Sequence, residues 1–261
     1  MTWSPKMTQR ALDAGVDQIA FSIDGLQPAH DRIRGVEGAF YKVLDGIDAC
    51  VAAGLRVGSV THITRLNFAD LEALHALLGE HGVRVWQVQQ GVPTGNLSDE
   101  PELVLPNESM LELMPRLGAM ARSGKLPKVF AADNIGYYGD DEQVLRGDSK
   151  AKVNFWVGCR AGLDVVGIES HGDVKGCLSL PSTLNGCTEF VEGNLRERSL
   201  VELWNDANTF AYNRQFKPED LGGNCKECEF GEVCRGGCTV TSVAHHGRPH
   251  HFPNCYYHLS R

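Results

Sequence analysis

The chain of 261 residues is 42% hydrophobic and 22% charged, the composition of a globular protein with one large or two small domains. Its 33 acidic and 25 basic residues give a net charge of −8, so the clustered positive charge of a surface that binds nucleic acid or anionic membranes is missing. Since no apolar run approaches the roughly 18 residues of a membrane span and the N-terminus has no apolar signal core, we expect a soluble, cytoplasmic protein.

The first half of the chain alternates predicted helices and strands. In chain order these are a helix over residues 7–15, a strand over 16–24, a helix over 40–51, a strand over 55–64, a helix over 68–81, a strand over 83–90 and a helix over 110–122. This order predicts parallel strands joined by right-handed crossovers. A closed eight-fold barrel takes about 250 residues, so we expect either an open sheet or a barrel whose beginning is absent.

The second half has a different pattern. Residues 126–158 contain one more apolar segment and a polar loop, and they predict a bridging segment. Residues 163–180 predict two short strands that turn at residues 170–173, where Gly and Asp tolerate positive φ. Residues 199–214 predict a helix with Ser199 as its N-cap. Beyond Gly222 the sequence predicts little secondary structure.

Eight of the nine cysteines lie in the last hundred or so residues. The compact group is Cys225-x2-Cys228-x5-Cys234-x3-Cys238, and Cys255 follows it. Further upstream, Cys159 and Cys177 flank the predicted hairpin, and Cys187 comes after it. A two-residue gap lets a loop direct both thiolates toward one centre, which is why such pairs recur in zinc and iron–sulfur sites.

Three other interpretations of the cysteines remain open at this point. Disulfides are disfavoured by the odd total and the CxxC clustering. A structural zinc ion on Cys225, Cys228, Cys234 and Cys238 would leave the remaining cysteines unexplained. Burial without a ligand role fits Cys50, which lies beside the apolar face of a predicted helix. Five nearby histidines predict a solvated loop rather than a metal site, namely His245, His246, His250, His251 and His258.

The ordered cysteines, with Gly172 five residues before Cys177, resemble the SPASM domain of radical S-adenosylmethionine (SAM) enzymes. The segments EGNLRERSLVELWND and CEFGEVCRGGC are also similar to that family. In the first half, AGVDQIAFSIDG followed by HDRIRGVEGAF resembles the fourth strand and following helix of the radical SAM barrel, and VTHITRLN and QQGVPTGN resemble its fifth and sixth strand ends. The resemblance implies an α/β fold, with a partial radical SAM (β/α) barrel at residues 1–125, the bridge at 126–158 and a cysteine-rich SPASM domain with little regular structure at 159–261.

This resemblance also implies two auxiliary [4Fe–4S] clusters. The distal cluster would be held by Cys225, Cys228, Cys234 and Cys255. The fourth cysteine of the compact motif crosses over in the family, so the proximal cluster would be held by Cys159, Cys177 and Cys238. Its fourth ligand is either Cys187, or absent with the site open to substrate or water.

Radical SAM enzymes bind SAM on a third [4Fe–4S] cluster held by a CxxxCxxC motif, and this sequence has none. We therefore expect a chain that lacks the N-terminal part of the barrel, so that SAM and the third cluster belong to a full-length enzyme. Ser22 and Asp24 follow a predicted strand, and by resemblance they lie near SAM, although Asp24 has the alternative role of capping the turn into Gly25. No catalytic residue is assigned.

The complete enzyme is expected to cleave SAM to a 5′-deoxyadenosyl radical, with a reductant such as flavodoxin or ferredoxin. Substrates of the SPASM group are mostly peptides or proteins, so we expect a maturase of a peptide or protein. Sulfatase maturases carry Asp after the second proximal cysteine, whereas Leu178 follows Cys177 here, which disfavours that activity. The alternatives are a non-catalytic iron–sulfur electron carrier or scaffold, and a zinc-stabilised interaction module.

Overall fold

The computed structural model describes residues 3–147, 155–183 and 189–261. They form two compact units, one that runs to Phe155 and includes residues 259–261, and one over Trp156–His258. Cys187 and part of the predicted bridge lie outside the described residues. In the described part of the chain, no helix has both the length and the apolar character needed to span a membrane.

The first unit is built on four parallel strands that neighbour one another in chain order, β1-β2-β3-β4. The strands are β1 (Gln18–Ser22), β2 (Arg56–Ile63), β3 (Val85–Gln90) and β4 (Lys128–Ala131). The helices are α1 (Pro5–Asp13), α2 (Gln27–Arg34), α3 (Ala39–Ala52), α4 (Leu71–Glu80), α5 (Met110–Arg122) and α6 (Glu142–Arg146). Successive parallel strands with helical crossovers confirm the predicted α/β fold.

The core of the first unit lies between the helices and the sheet. On α4, Leu71, Leu74 and Leu78 are fully buried at helical spacing, as the sequence pattern predicts. On α3 the predicted face included Val51, but Val51 is 36% exposed and Cys50 is fully buried instead. The buried residues of α3 therefore end at Cys50, one position earlier than expected. With 3.6 residues per turn, the position that faces the core shifts slightly from one turn of the helix to the next.

The apolar segment in the predicted bridge forms the fourth strand of the sheet. Strand β4 pairs in parallel with β3, with Lys128 opposite Val85. Val129 and Ala131 point into the core, as alternate residues of a half-buried strand do. The first part of residues 126–158 thus extends the sheet of the first unit.

The second unit has a small antiparallel sheet and short helices. Its strands are β5 (Gly167–Ile168), β6 (Asp173–Lys175) and β7 (Gly193–Asn194), and its helices are α7 (Leu200–Asn205), α8 (Ala211–Arg214), α9 (Gly231–Cys234), α10 (Thr239–His246) and α11 (Tyr256–Leu259), the last of which ends in the first unit. The β5–β6 pair confirms the predicted hairpin, and its turn includes Gly172 at φ +102°. Helix α10 is an addition to the sequence prediction, which expected little structure there.

The predicted helix over residues 199–214 is two helices. Ser199 caps α7 in a capping box with Glu202, as expected for its N-terminus. Helix α7 ends where Asp206 adopts an extended conformation with φ −72° and ψ 123°, and Phe210 is left-handed with φ 56° directly before α8. The ring of Phe210 is fully buried in a core cluster with Val174 and Leu203, so packing of this ring accompanies the break.

Candidate metal centres

No disulfide bond joins any of the eight described cysteines. Cys50 lies on α3 in the first unit, fully buried, with its Sγ 3.8 Å from the Thr8 hydroxyl. Its burial confirms the prediction of a small core residue. The remaining seven described cysteines belong to the second unit, where charge interactions link Cys255 to Cys225 and Cys228 in one group, and Cys238 to Cys159 in another.

The first group contains Cys225, Cys228 and Cys255. Burial raises the pKa of the Cys255 thiol to about 11, and the Cys225 and Cys228 thiolates raise it further because like charges repel at short range. The Cys225 pKa is raised by burial and by Cys228 in the same way. The Cys228 N–H donates to the Cys225 carbonyl at 3.3 Å, so a tight turn places these two residues together. Cys234, at the end of α9, is buried.

The second group joins the end of the compact motif to the upstream cysteines. Burial raises the pKa of the Cys238 thiol to about 12, and the Cys159 thiolate is the neighbouring charge that raises it further. Burial is the largest cause that raises the pKa of Tyr212. The negative charges of Cys159, Glu192 and Cys177 raise this pKa further. The phenol of Tyr212 therefore lies close to both upstream cysteines, and Cys238 lies close to one of them.

A run of left-handed residues separates Cys238 from Cys234. Arg235, Gly236 and Gly237 have φ values of 55°, 72° and 78°, so the chain turns sharply after α9. A Cβ atom at Gly236 would overlap the main chain of His250, so glycine is required there for close packing as well as for φ. The turn redirects the chain between two cysteines that are only four positions apart.

Two buried side chains whose role was not predicted from the sequence bond to the main chain near these cysteines. Asn213 is fully buried, and its Nδ2 donates to the carbonyls of Cys159 at 2.7 Å and Ala161 at 2.8 Å. His250 is 7% exposed, with its ring nitrogens 2.7 Å from the Arg235 carbonyl and 2.6 Å from the Tyr212 carbonyl. The expectation of a solvated loop is therefore wrong for His250, because its ring bridges two segments of the chain.

These cysteines fit a metal cluster by their chemistry. Thiols that are buried together resist ionisation, because each thiolate loses its hydration and repels the next. Iron–sulfur clusters bind thiolates, and their positive iron atoms offset both penalties. Cys187 lies outside the described residues, so its role as a fourth ligand beside Cys159, Cys177 and Cys238 stays a prediction.

In the first unit, Ser22 is the last residue of β1 and Asp24 lies two positions beyond it, and the two side chains differ in exposure. Ser22 is exposed, whereas the Asp24 carboxylate is fully buried. Its Oδ1 accepts from the His62 N–H at 2.8 Å, and its Oδ2 lies 2.5 Å from the Arg34 guanidinium. Asn67 donates to the carbonyls of Asp24 at 3.0 Å and His62 at 2.7 Å. The Asp24 side chain thus ties the ends of β1 and β2 together, and a contact between SAM and Ser22 or Asp24 stays a prediction.

Comparison with known proteins finds one matching family model and several relatives of similar sequence. The SPASM family model, an iron–sulfur cluster-binding domain, matches residues 159–229. The chain is 26% identical to the pre-heme d1 synthase of Dinoroseobacter shibae over 95% of its own length and 63% of that protein. It is 26% identical to the mycofactocin maturase MftC of Mycobacterium ulcerans over 90% of its length and 59% of that protein. The chain therefore spans about three fifths of these curated relatives.

Among solved structures, the fold resembles native anSMEcpe with bound AdoMet and the Cp18Cys peptide. The TM-score is 0.65 at 14% identity, and the match covers 98% of this chain and 70% of the other. At this identity the likeness concerns the fold.

Proposed function

We propose that the chain is a radical SAM/SPASM protein and that its second unit holds two auxiliary [4Fe–4S] clusters of an enzyme that modifies its substrate by radical chemistry. The relatives, the family model and the grouped thiols support this proposal. The clusters supply electron acceptance or substrate binding, and the protein supplies the ligands, their burial and their orientation.

The proposed distal ligands are Cys225, Cys228, Cys234 and Cys255, and the proposed proximal ligands are Cys159, Cys177 and Cys238, with Cys187 as the candidate fourth. The observation that carries the partition is the thiol of Cys238, which has Cys159 as its charged neighbour. Cys255, by contrast, has Cys225 and Cys228. Because the pKa values of Cys238 and Cys255 are raised, these thiols release protons when iron binds. Cluster loading should therefore be more complete at pH 8 than at pH 6.

The test is anaerobic reconstitution followed by iron and sulfide analysis and electron paramagnetic resonance (EPR) of the reduced protein. Two cubanes give about eight iron and eight sulfide per chain. Cys225→Ala should remove one EPR signal, and Cys159→Ala should remove or weaken the other. Cys238→Ala should behave like Cys159→Ala. If Cys238→Ala abolished the same signal as Cys234→Ala and spared the other, the partition would be wrong, and one zinc without sulfide would exclude the clusters.

We propose a peptide or protein as the substrate, by analogy with the mycofactocin maturase and with the peptide in anSMEcpe. The second candidate is a tetrapyrrole, which the name of the pre-heme d1 synthase favours. Absorption titration of the reconstituted protein with iron protoporphyrin distinguishes the two. No saturable shift of the Soret band is expected for a peptide enzyme. A saturable, stoichiometric shift would reverse the order of the candidates.

We also propose that this chain by itself forms no 5′-deoxyadenosine, because its sequence contains no CxxxCxxC motif. Cleavage of SAM needs an iron atom with an open coordination position close to the SAM-binding strand ends. The assay is chromatographic detection of 5′-deoxyadenosine with dithionite, and then with flavodoxin or ferredoxin, as reductant. A radical SAM enzyme that carries the motif serves as the positive control. Turnover by the 261-residue chain would refute the proposal.

A further inference from the structure

Tyr212, on α8, carries a buried hydroxyl group without a hydrogen-bond partner among the described residues. Its ring packs edge-on against Phe190, with ring centroids 5.4 Å apart. Cys177 packs against the same core cluster, which also contains Leu180 and Val243. A buried hydroxyl that bonds to nothing is unfavourable, so this group points to an acceptor that binds at this place.

The position of the hydroxyl is defined by a glycine. A Cβ atom at Gly176 would overlap the Tyr212 oxygen, and it would lie 3.1 Å from the Ala161 Cβ. The hydroxyl therefore lies between the segment that follows Cys159 and the residue that precedes Cys177. These are the segments of the two upstream cysteines, so the open space at Gly176 admits the phenol to the proposed proximal site.

Sulfur is the acceptor that fits this position. A phenol is protonated at neutral pH and donates one hydrogen bond. Thiolate and sulfide atoms of a cluster accept such bonds, and the bonds stabilise the reduced, more negative cluster. In the thiol form, by contrast, cysteine sulfur is only a weak acceptor.

We propose that the Tyr212 hydroxyl donates a hydrogen bond to a sulfur atom of the cluster held by Cys159 and Cys177, and that this bond raises the reduction potential of the cluster. The inference rests on the proposed ligand assignment. Tyr212 is thereby a positioning residue that acts on the cluster rather than on substrate. Because Gly176 has no side chain, it leaves space for the Tyr212 hydroxyl.

The test is an EPR-monitored redox titration of Tyr212→Phe, which removes the hydroxyl and keeps the ring. The titration is run in the Cys225→Ala background, so that the signal of the proximal cluster is observed alone. The midpoint potential should shift to a more negative value with unchanged iron content. Tyr137→Phe is the matched control, because Tyr137 also has a buried ring and its hydroxyl donates to the Asp133 carbonyl in the first unit. The control should leave the potential unchanged.

An unchanged potential in fully loaded Tyr212→Phe would overturn the inference and leave the cluster proposal standing. Absence of iron and sulfide from the unsubstituted protein would refute the cluster proposal itself. The geometry has a separate test in thermal unfolding of the loaded protein. Gly176→Ala should lower the unfolding midpoint, and adding Tyr212→Phe should restore part of the loss. Equal losses in the two backgrounds would show that the hydroxyl does not lie over Gly176.

Discussion

Replacement of Asp24 by Asn tests whether this buried carboxylate stabilises the first unit. The carboxylate bonds to the His62 N–H and forms an ion pair with Arg34, so it connects β1, β2 and α2. Asn preserves the size of the side chain and one acceptor oxygen. Asp24→Asn therefore removes the charge and weakens the Arg34 contact while it retains the bond to the β2 main chain.

The expected loss is about 2 kcal/mol in the free energy of unfolding. Breaking a buried ion pair costs about 3–5 kcal/mol when the remaining charge is stranded. Here the Arg34 side chain is 36% exposed and can return to water, so the cost falls toward the value of one hydrogen bond to a charged group, about 1.5–3 kcal/mol. The matched control is Asp48→Asn, which changes the contact between the Nδ1 atom of His81 and the Asp48 carboxylate, whose side chain is 54% exposed. That change should cost under about 1 kcal/mol.

The measurement is urea denaturation at several pH values, followed by tryptophan fluorescence. Burial by itself raises the Asp24 pKa, but hydrogen bonds from the His62 side chain and main chain, with the Arg34 charge, outweigh it and lower the pKa. A lowered pKa gives stabilisation that is complete above the ordinary value of about 3.9 and is lost as the pH falls through the folded value. The difference between wild type and Asp24→Asn should therefore not decrease from pH 7 to pH 5, because the Asp24 carboxylate stays charged there and also favours the protonated ring of His30. If Asp24→Asn cost no more than Asp48→Asn, the structural role would be refuted.

Two further substitutions test the second unit and the isolated cysteine. Gly172→Ala should lower the free energy of unfolding by about 1–3 kcal/mol, because Gly172 has φ +102° and a Cβ atom would lie 2.8 Å from the Asn194 Oδ1. An unchanged midpoint in urea denaturation would contradict this. Cys50→Ala should leave the iron content unchanged, because Cys50 lies in the core of the first unit, and loss of four iron atoms would identify Cys50 as a ligand.

The elements of the first unit were predictable because their patterns are local. Helix α5 has the predicted bounds, Met110–Arg122, and its buried positions recur at helical spacing. The break between α7 and α8, which begins at the extended Asp206, was not predictable, because no glycine or proline marks it. The buried ring of Phe210, which is left-handed just before α8, packs in a core cluster, and packing of that kind depends on residues that are distant in the sequence.

The candidate site was predictable in part. Cysteine spacing identifies the thiols, and the family resemblance supplies their expected partition. The roles of Asn213 and His250 could not be predicted from spacing in the sequence, because their partners are distant along the chain. Asn213 bonds to the Cys159 carbonyl 54 residues away, and His250 bonds to the Tyr212 carbonyl 38 residues away. Such supports become visible only when the chain is folded.

The short segment between Cys234 and Cys238 nevertheless carries local information about the partition. Three consecutive left-handed residues are rare in any chain, and the pair Gly236-Gly237 makes them accessible at low steric cost. The same glycines allow close approach of the segment around His250, whose main chain leaves no room for a Cβ at Gly236. The proposed partition requires Cys234 and Cys238 to bind different clusters, and we expect the turn at Arg235, Gly236 and Gly237 to direct the two cysteines apart.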